Sequence, residues 1–239
     1  QIKLSAKLSG AQELNAQVML NKFLMQDKNL SIVELNLQAH SKQAGASKQL
    51  ELKSNVKMAL DTQIVQLPQL AIQIKLNDPK LAQAEIVLPI HGQLSANLKD
   101  KSLNSTLDAK FDETKLHTTV QVQDFSNPAI SFKVDIDKLN LDRYIKNSAE
   151  PTKADNSKEE DLNLAALKSL KLDGLIRIGA LQVKNLKINQ VQLPLKADQG
   201  KITMNGIAAQ LYQGSLAGNI GFDVDGNQFQ MQQNLSNVQ

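Results

Sequence analysis

Alternating apolar and polar residues predict a mainly β protein whose strands pair antiparallel with their neighbours. Leu70, Ile72 and Ile74 share one face of such a strand, and Gln73 and Lys75 lie on the opposite face. A strand of this kind packs one face and leaves the other to water. The same period of two continues through residues 50–60, 94–98, 103–111, 116–122, 130–136 and 216–224.

Short polar turns divide the first part of the chain into these strands. Pro68 and Pro89 fall inside apparent strands, where proline cannot donate to a ladder, so each marks an edge, a bulge or a kink. Residues typical of turns, mainly Asn, Asp, Gly and Pro, stand at 26–29, 41–47, 77–79, 99–101, 111–113 and 126–128.

Composition narrows the function of the protein. The 239 residues are 41% hydrophobic but only 3% aromatic, so Leu, Ile and Val supply nearly all of the apolar volume. The net charge of +3 comes from scattered lysines without a basic block, which gives nucleic-acid binding little support. The absence of Cys excludes disulfides, thiol chemistry and cysteine-ligated zinc.

The texture of the sequence changes near residue 139. Residues 139–146 suggest a helical turn, and residues 147–160 contain Pro151 with charged and amide residues but no large apolar side chain. Such a composition buries nothing and predicts a mobile linker. Asp161 is placed to cap a short helix over residues 161–170, which has leucines on one side.

Three segments follow from this change of texture. We expect an antiparallel β segment at residues 1–146, a mobile linker at 147–160, and a C-terminal region at 161–239. The C-terminal region begins with the short helix and continues in Gly-rich strands.

Polar residues form no catalytic or metal-binding pattern. His40, His91 and His117 lie far apart and lack a partner motif, so surface or structural roles are favoured. Asp135 and Asp137 share a face, but the apolar residues between and beside them make it the solvated face of a strand. We therefore expect no enzyme activity, no cofactor and no metal.

The apolar faces of so many strands must be covered, and periodicity alone leaves two alternatives. Two sheets can bury each other in a closed sandwich. A smooth aliphatic surface can instead accept the acyl chain of a lipid, since burial stabilises by about 0.8 kcal/mol per methylene.

Two stretches of the chain resemble proteins of the AsmA family. Residues 132–144 are similar to the strand-to-helix passage of that family, which a polar linker and a Leu-rich helix follow. Residues 172–187, and the stretch that leads to the Leu-Tyr-x-Gly turn at 211–214, resemble its carboxy-terminal region. The specific resemblance covers residues 130–239. Upstream of residue 130, only the general character of the sequence is similar. Gln199 stands where the family often has Asp or Asn.

This resemblance implies a protein of the Gram-negative envelope, mostly periplasmic and anchored in the inner membrane, that supports outer-membrane assembly. The family is similar to bridge-like lipid transfer proteins, whose long curled sheets form an open apolar groove, or β-taco. It carries no catalytic residues. The sequence opens in mid-strand and stops at the entry to a further segment, so we expect a fragment without its membrane anchor and with a truncated end.

The expected ligand is therefore phospholipid or another acyl-chain lipid, held along the aliphatic lining of the groove. The alternative is a structural or interaction module of the envelope with a closed β core and no lipid path, which pairs with envelope proteins through its sheet edges. The residues expected to line the groove are Leu50, Leu52, Val56, Met58, Leu60, Leu70, Ile72, Ile74, Val120, Val122, Phe132 and Val134.

Overall fold

A computed structural model describes residues 1–10, 13–79, 81–145, 169, 171–226 and 228–237. About 80% of the structure is strand, arranged in an unclosed sheet of mixed pairing with almost no helix, which confirms the predicted fold class. The chain divides into two compact units, Gln1–Phe125 and Ser126–Gln239.

The first unit is an antiparallel meander in which each strand pairs with its neighbours in sequence. Within the described part of this unit, β1 and β8 do not pair with each other, so its sheet does not close. Its strands are β1 (Ile2–Leu8), β2 (Glu13–Gln26), β3 (Asn29–Gln43), β4 (Ala46–Ala59), β5 (Ile64–Asn77), β6 (Glu85–Asn97), β7 (Ser102–Phe111) and β8 (Thr114–Gln123).

The predicted turns of the meander are confirmed. At the third turn of the chain, Ala44 and Gly45 both have positive φ, as a two-residue hairpin turn between β3 and β4 requires. Pro68 lies at a register shift in β5, so it occupies a bulge. Pro89 pairs with Gln73 of β5 and lies just before the part of β6 that pairs with β7, so it occupies a stretch of β6 that forms an edge of the sheet.

Bulges keep the apolar residues of the first unit on one face. In β3, Ile32 pairs with Val56 and Leu35 pairs with Ser54, so one extra β3 residue lies between two β4 partners on the same face. Leu67 and Leu70 of β5 are related in the same way across the Pro68 bulge. Without the extra residue, the side chains beyond each bulge would switch to the opposite face.

The second unit contains one parallel pair. The antiparallel expectation is wrong for β9 and β10, which pair in parallel from Ala129↔Lys171 to Asn140↔Gln182. The physical reason is the long connection between them, because parallel neighbours need a crossover of a dozen or more residues. The strands of this unit are β9 (Ala129–Asn140), β10 (Lys171–Val183), β11 (Leu186–Asp198), β12 (Lys201–Leu211), β13 (Gly214–Asp223) and β14 (Gln228–Ser236).

The helical turn expected after β9 is present as a 3-10 turn at Leu141–Arg143. Asn140 caps it, since its side-chain Oδ1 accepts a hydrogen bond from the N–H of Asp142 at 3.1 Å. Of the helix expected at 161–170, Ser169 alone is described, and it is helical. The remainder of that helix and the linker expected at 147–160 lie outside the described residues.

Burial is shallow throughout the described residues. None of their side chains is fully buried, and the most buried apolar residues include Leu70 in the first unit and Ile178 and Val191 in the second. The core of a closed sandwich contains fully buried side chains at close-packed density. The described parts of neither unit therefore have the burial of a closed sandwich.

Candidate functional site

The pairing register brings the aliphatic residues of the first unit to one face of its sheet. Residues paired across an antiparallel ladder project to the same side. One cross-strand row runs Leu37, Leu52, Ile72, Ile90 and Ala109, from β3 to β7. We call the side of the sheet that carries this row and its parallel rows the aliphatic face.

Nine of the predicted lining residues belong to this face. Leu50 pairs with Ile74, and Leu52 pairs with Ile72, directly across β4 and β5. A second cross-strand row begins at Met58, further along β4. It continues with Val65, Ala96 and Leu103 and ends at Val122 of β8. The nine residues are Leu50, Leu52, Val56, Met58, Leu70, Ile72, Ile74, Val120 and Val122.

The other three predicted residues lie elsewhere. Leu60 follows the end of β4, is 38% exposed, and donates its N–H to the carbonyl oxygen of Lys28 at 2.8 Å. Phe132 and Val134 belong to β9 in the second unit. The ring of Phe132 lies over Gly174 of β10, where a Cβ atom would approach the ring to 2.2 Å. Phe132 therefore fills the space of a missing side chain on the adjacent strand.

The aliphatic face is uncharged over half of the first unit. On strands β5 to β8 it carries no Asp, Glu, Lys or Arg, and these residues all project to the opposite side. Its side chains are mostly half-buried, as Leu52, Ile72 and Ile90 are. Packing along the sheet thus covers part of each side chain and leaves the rest exposed.

A concave depression with a volume of about 710 Å³ lies on strands β1 to β5, on the side of the sheet opposite to the aliphatic face. We call it the polar trough. Its floor includes Ala6, Ala16, Ala39 and Leu50. The side chains of these residues project to the aliphatic face, so their main-chain atoms line the trough. Its walls are two cross-strand rows of polar residues: Ser5, Gln17, Gln38, Glu51 and Gln73, and Lys7, Asn15, His40, Gln49 and Lys75.

The sequence did not reveal this trough, because alternation predicts which residues share a face but not which face is concave. Of the predicted lining residues, Leu50 borders it. Glu51 accepts hydrogen bonds from Lys53 at 2.9 Å and from Gln38 at 3.4 Å, and these contacts lower the pKa of its carboxyl. Lys75 pairs with Glu85 at 2.7 Å. Charges in and beside the trough are thus partly compensated, by an ion pair within β4 and by one between β5 and β6.

Asp135 and Asp137 lie on the solvated face of β9, as predicted. Asp135 accepts a hydrogen bond from Nε of Arg177 at 2.5 Å, and Lys133 lies 3.5 Å away. The hydrogen bond from Arg177 is the main cause that lowers the pKa of Asp135. Asp137 Oδ1 accepts the N–H of Lys138 at 2.6 Å. Arg177 thus joins the carboxylate of Asp135 to β10, whereas the carboxylate of Asp137 bonds within β9.

Asp142 makes a contact that the sequence did not reveal. Its carboxylate accepts hydrogen bonds from the backbone N–H groups of Lys184 and Asn185 and, at 3.1 Å, from Gln182. The bond from Asn185, at 2.9 Å, is the main cause that lowers the pKa of Asp142. Lys184 and Asn185 form the β10–β11 turn, and both have positive φ. Asp142 therefore fixes the 3-10 turn to this hairpin.

The histidines do not come together in a reactive group. His117 Nδ1 lies 2.7 Å from Asp108 Oδ1 on the polar side of β7 and β8. His40 borders the polar trough, and its Nε2 is buried without a hydrogen-bond partner among the described residues. Among the described residues, no three His, Asp or Glu side chains are grouped as a metal site would require.

No helix that the structure describes has the length and apolar character needed to cross a membrane.

Comparison with known proteins identifies the family. The model of the AsmA family matches residues 3–239, which extends the resemblance from the C-terminal region to nearly the whole chain. No curated protein and no solved structure matches the chain. Because the match includes both the strands that form the aliphatic face and the second unit, the protein belongs to the AsmA family.

Proposed function

We propose that this protein binds or transfers phospholipid in the periplasm in support of outer-membrane assembly, and that it does so without catalysis. The proposal rests on one observation above all. The aliphatic face is continuous across many strands, carries no charge from β5 to β8, and has mostly half-buried side chains, although a few, such as Leu70, are buried. An acyl chain laid on this face removes further apolar surface from water and gains about 0.8 kcal/mol for each methylene that it buries.

Membership in the AsmA family supports the same role. The proposed location is the periplasm, with the full-length protein anchored in the inner membrane. The alternative of an interaction module with a closed core lacks support in the burial of the described residues, since none of their side chains is fully buried. The interaction-module hypothesis also includes pairing with envelope proteins through sheet edges. That pairing is compatible with a lipid path on the aliphatic face.

The test places charge at the centre of the aliphatic face. A variant with both Ile72→Asp and Ile74→Asp is expected to fold and to lose bound phospholipid, because an unpaired carboxylate beside an acyl chain is strongly disfavoured. Water reaches these half-buried positions, so we expect only a modest loss of stability. Lipid extraction with mass spectrometry of the purified protein measures the ligand, and the melting temperature reports folding.

The matched control carries the same charge on the opposite face. A variant with Gln93→Asp and Ser95→Asp, on the polar side of β6, is expected to retain its lipid. An Ile72/Ile74 variant that folds and still carries lipid would remove these residues from the path. An unfolded Ile72/Ile74 variant beside a folded control would indicate a closed core instead of an accessible face.

A further inference from the structure

One charged residue interrupts the aliphatic face of the first unit. Among the residues of this unit that the ladders pair, Lys48 alone carries a charge and projects to that face. It pairs with Ser41 of β3 and with Leu76 of β5, and the row continues to Ile86 of β6. Alternation along β4 calls for an apolar residue at position 48, since Leu50 follows it on the same face. A single departure from an otherwise consistent pattern is typical of a functional position.

The charge of Lys48 is not compensated within the described residues. Its side chain is exposed, and no carboxylate of the described chain lies within ion-pair distance of it. On the opposite side of the sheet, by contrast, Lys53 pairs with Glu51 at 2.9 Å. Lys75 pairs there with Glu85 at 2.7 Å. Lys48 therefore presents an uncompensated ammonium group beside an apolar surface.

Lys48 lies near one end of the aliphatic face. It stands close to the start of β4, beside the two-residue turn formed by Ala44 and Gly45. At the other end of the face, the cross-strand row from Met58 to Val122 is apolar throughout. The two ends of the face therefore differ, because one carries a positive charge and the other is apolar.

The apolar stretch between these ends is long enough for an acyl chain. Leu50 and Met58 of β4 are eight residues apart, which is about 27 Å at a rise of about 3.4 Å per residue. The acyl chains of one lipid leaflet fill about half of a hydrocarbon core that is about 30 Å thick. Ser54 lies within the stretch, but it is buried and donates its hydroxyl to the carbonyl oxygen of Asn55 at 2.8 Å. An acyl chain can therefore lie along β4 on apolar surface.

We infer that Lys48 binds the phosphate of the lipid headgroup, an assignment that rests on the proposed function, and that the acyl chain runs from there along β4 toward Met58. The ammonium group of a lysine donates up to three hydrogen bonds, and such bonds to phosphate oxygens are strengthened by charge. Its methylene stem covers apolar surface while the ammonium group stays in water. The ligand of this site is thus an amphiphile whose anionic phosphate adjoins its acyl chain.

Two amphiphiles that differ only in the phosphate separate headgroup binding from tail binding. A monoacylglycerol phosphate and the monoacylglycerol with the same chain are titrated into the purified protein below their micelle concentrations, and calorimetry gives each dissociation constant. The wild-type chain should bind the phosphate-bearing amphiphile more tightly. Lys48→Gln should weaken that binding by about threefold to tenfold and leave binding of the neutral amphiphile unchanged. Lys48→Arg should keep the wild-type preference, because arginine retains the charge and the donors.

The matched control removes the same charge from the opposite side of the same strand. Lys57 of β4 is exposed and projects to the polar side, so Lys57→Gln should bind both amphiphiles as the wild type does. Added salt should weaken binding of the phosphate-bearing amphiphile to the wild-type chain, and Lys48→Gln should lose this dependence. A merely structural role of Lys48 would change the melting temperature of Lys48→Gln without removing the salt dependence.

The titrations distinguish a failure at Lys48 from a failure of lipid binding. If Lys48→Gln binds both amphiphiles as the wild type does, the role of Lys48 is overturned and the proposed function stands. If the wild-type chain binds neither amphiphile, the proposed function fails, and the role of Lys48 fails with it. Inorganic phosphate lacks a tail and should bind far more weakly than the phosphate-bearing amphiphile. Equally tight binding of inorganic phosphate would indicate a site for free anions and would overturn the assignment to a lipid.

Discussion

The two compact units use the same alternating pattern but bury their aliphatic residues differently. In the first unit, the face that carries Leu52 and Ile72 is half-buried over most of its extent. In the second unit, Ile178, Val191 and Ala209 are buried together in a cluster with neighbouring aliphatic residues packed around them. Alternation of apolar residues therefore specifies a face, and the packing around that face determines whether it forms a core or an accessible surface.

Polar contacts reinforce the difference. The second unit joins distant parts of its chain through Arg177 and Asp135, and through Asp142 at the β10–β11 turn. The first unit obtains its order from the hairpin ladder itself, with ion pairs such as Lys75–Glu85 between adjacent strands. We expect the second unit to depend on a few central residues and the first to distribute its stability along the sheet.

Truncation of one isoleucine in each unit is expected to have the largest effect and would test this contrast directly. Ile178 is 7% exposed, so Ile178→Ala should lower the free energy of unfolding of its unit by about 2–4 kcal/mol. Ile74 is half-buried, so Ile74→Ala should cost about 1 kcal/mol. Denaturant-dependent hydrogen exchange resolves the two units. Equal losses would show that the faces are buried alike.

Glycine substitutions should have an intermediate effect and sharpen the comparison at close strand contacts. A Cβ atom on Gly92 would lie 2.1 Å from the carbonyl oxygen of Thr106, so Gly92→Ala must separate β6 from β7 and should cost about 1–3 kcal/mol. In Gly174→Ala the new methyl meets the ring of Phe132, which can move aside at a smaller cost. Thermal melting measures both, with Gly10→Ala as a control in open space. A larger loss for Gly174→Ala would contradict this order.

The smallest effect is expected from Asp142→Asn, and it should depend on pH. Hydrogen bonds from Asn185, Gln182 and Lys184 lower the pKa of Asp142 from its usual 3.8. A depressed folded-state pKa contributes stability above the unfolded-state pKa, and this contribution disappears as the pH falls through the folded-state value. The wild-type chain should therefore melt at a higher temperature than the variant at neutral pH, and the two curves should converge in acid. A difference that stays unchanged as the pH is lowered from neutral until the folded chain is fully protonated would show that the charge of Asp142 contributes nothing.

Much of the fold can be predicted from the sequence, because strands and turns depend on local patterns. The phase of the alternation even marks the bulges: the apolar spacing widens from two to three between Ile32 and Leu35 and between Leu67 and Leu70. The sequence thus carries a local signal for the bulges as well as for the strands.

Other features depend on contacts between distant residues. The parallel pairing of β9 with β10 and the contact of Asp142 with Asn185 join positions about forty residues apart, which no local pattern encodes. The polar trough was missed for a related reason, since curvature depends on how several strands twist together. The role of the twelve predicted lining residues in lipid binding stays a prediction, although the register places nine of them on one face.

The sequential order of the strands has a consequence for how the chain folds. Each strand of the first unit pairs with the strand made just before it, so every hairpin can form once a short loop has closed, at a small entropic cost. Such short-range pairing favours rapid folding, strand by strand, while the chain is synthesised from its N-terminus. The pairing of β9 with β10 differs, because Ala129 pairs with Lys171, which is far away in the sequence, and so a long loop must close first. We expect that pairing to form last among the ladders of the second unit and to limit the rate at which this unit folds.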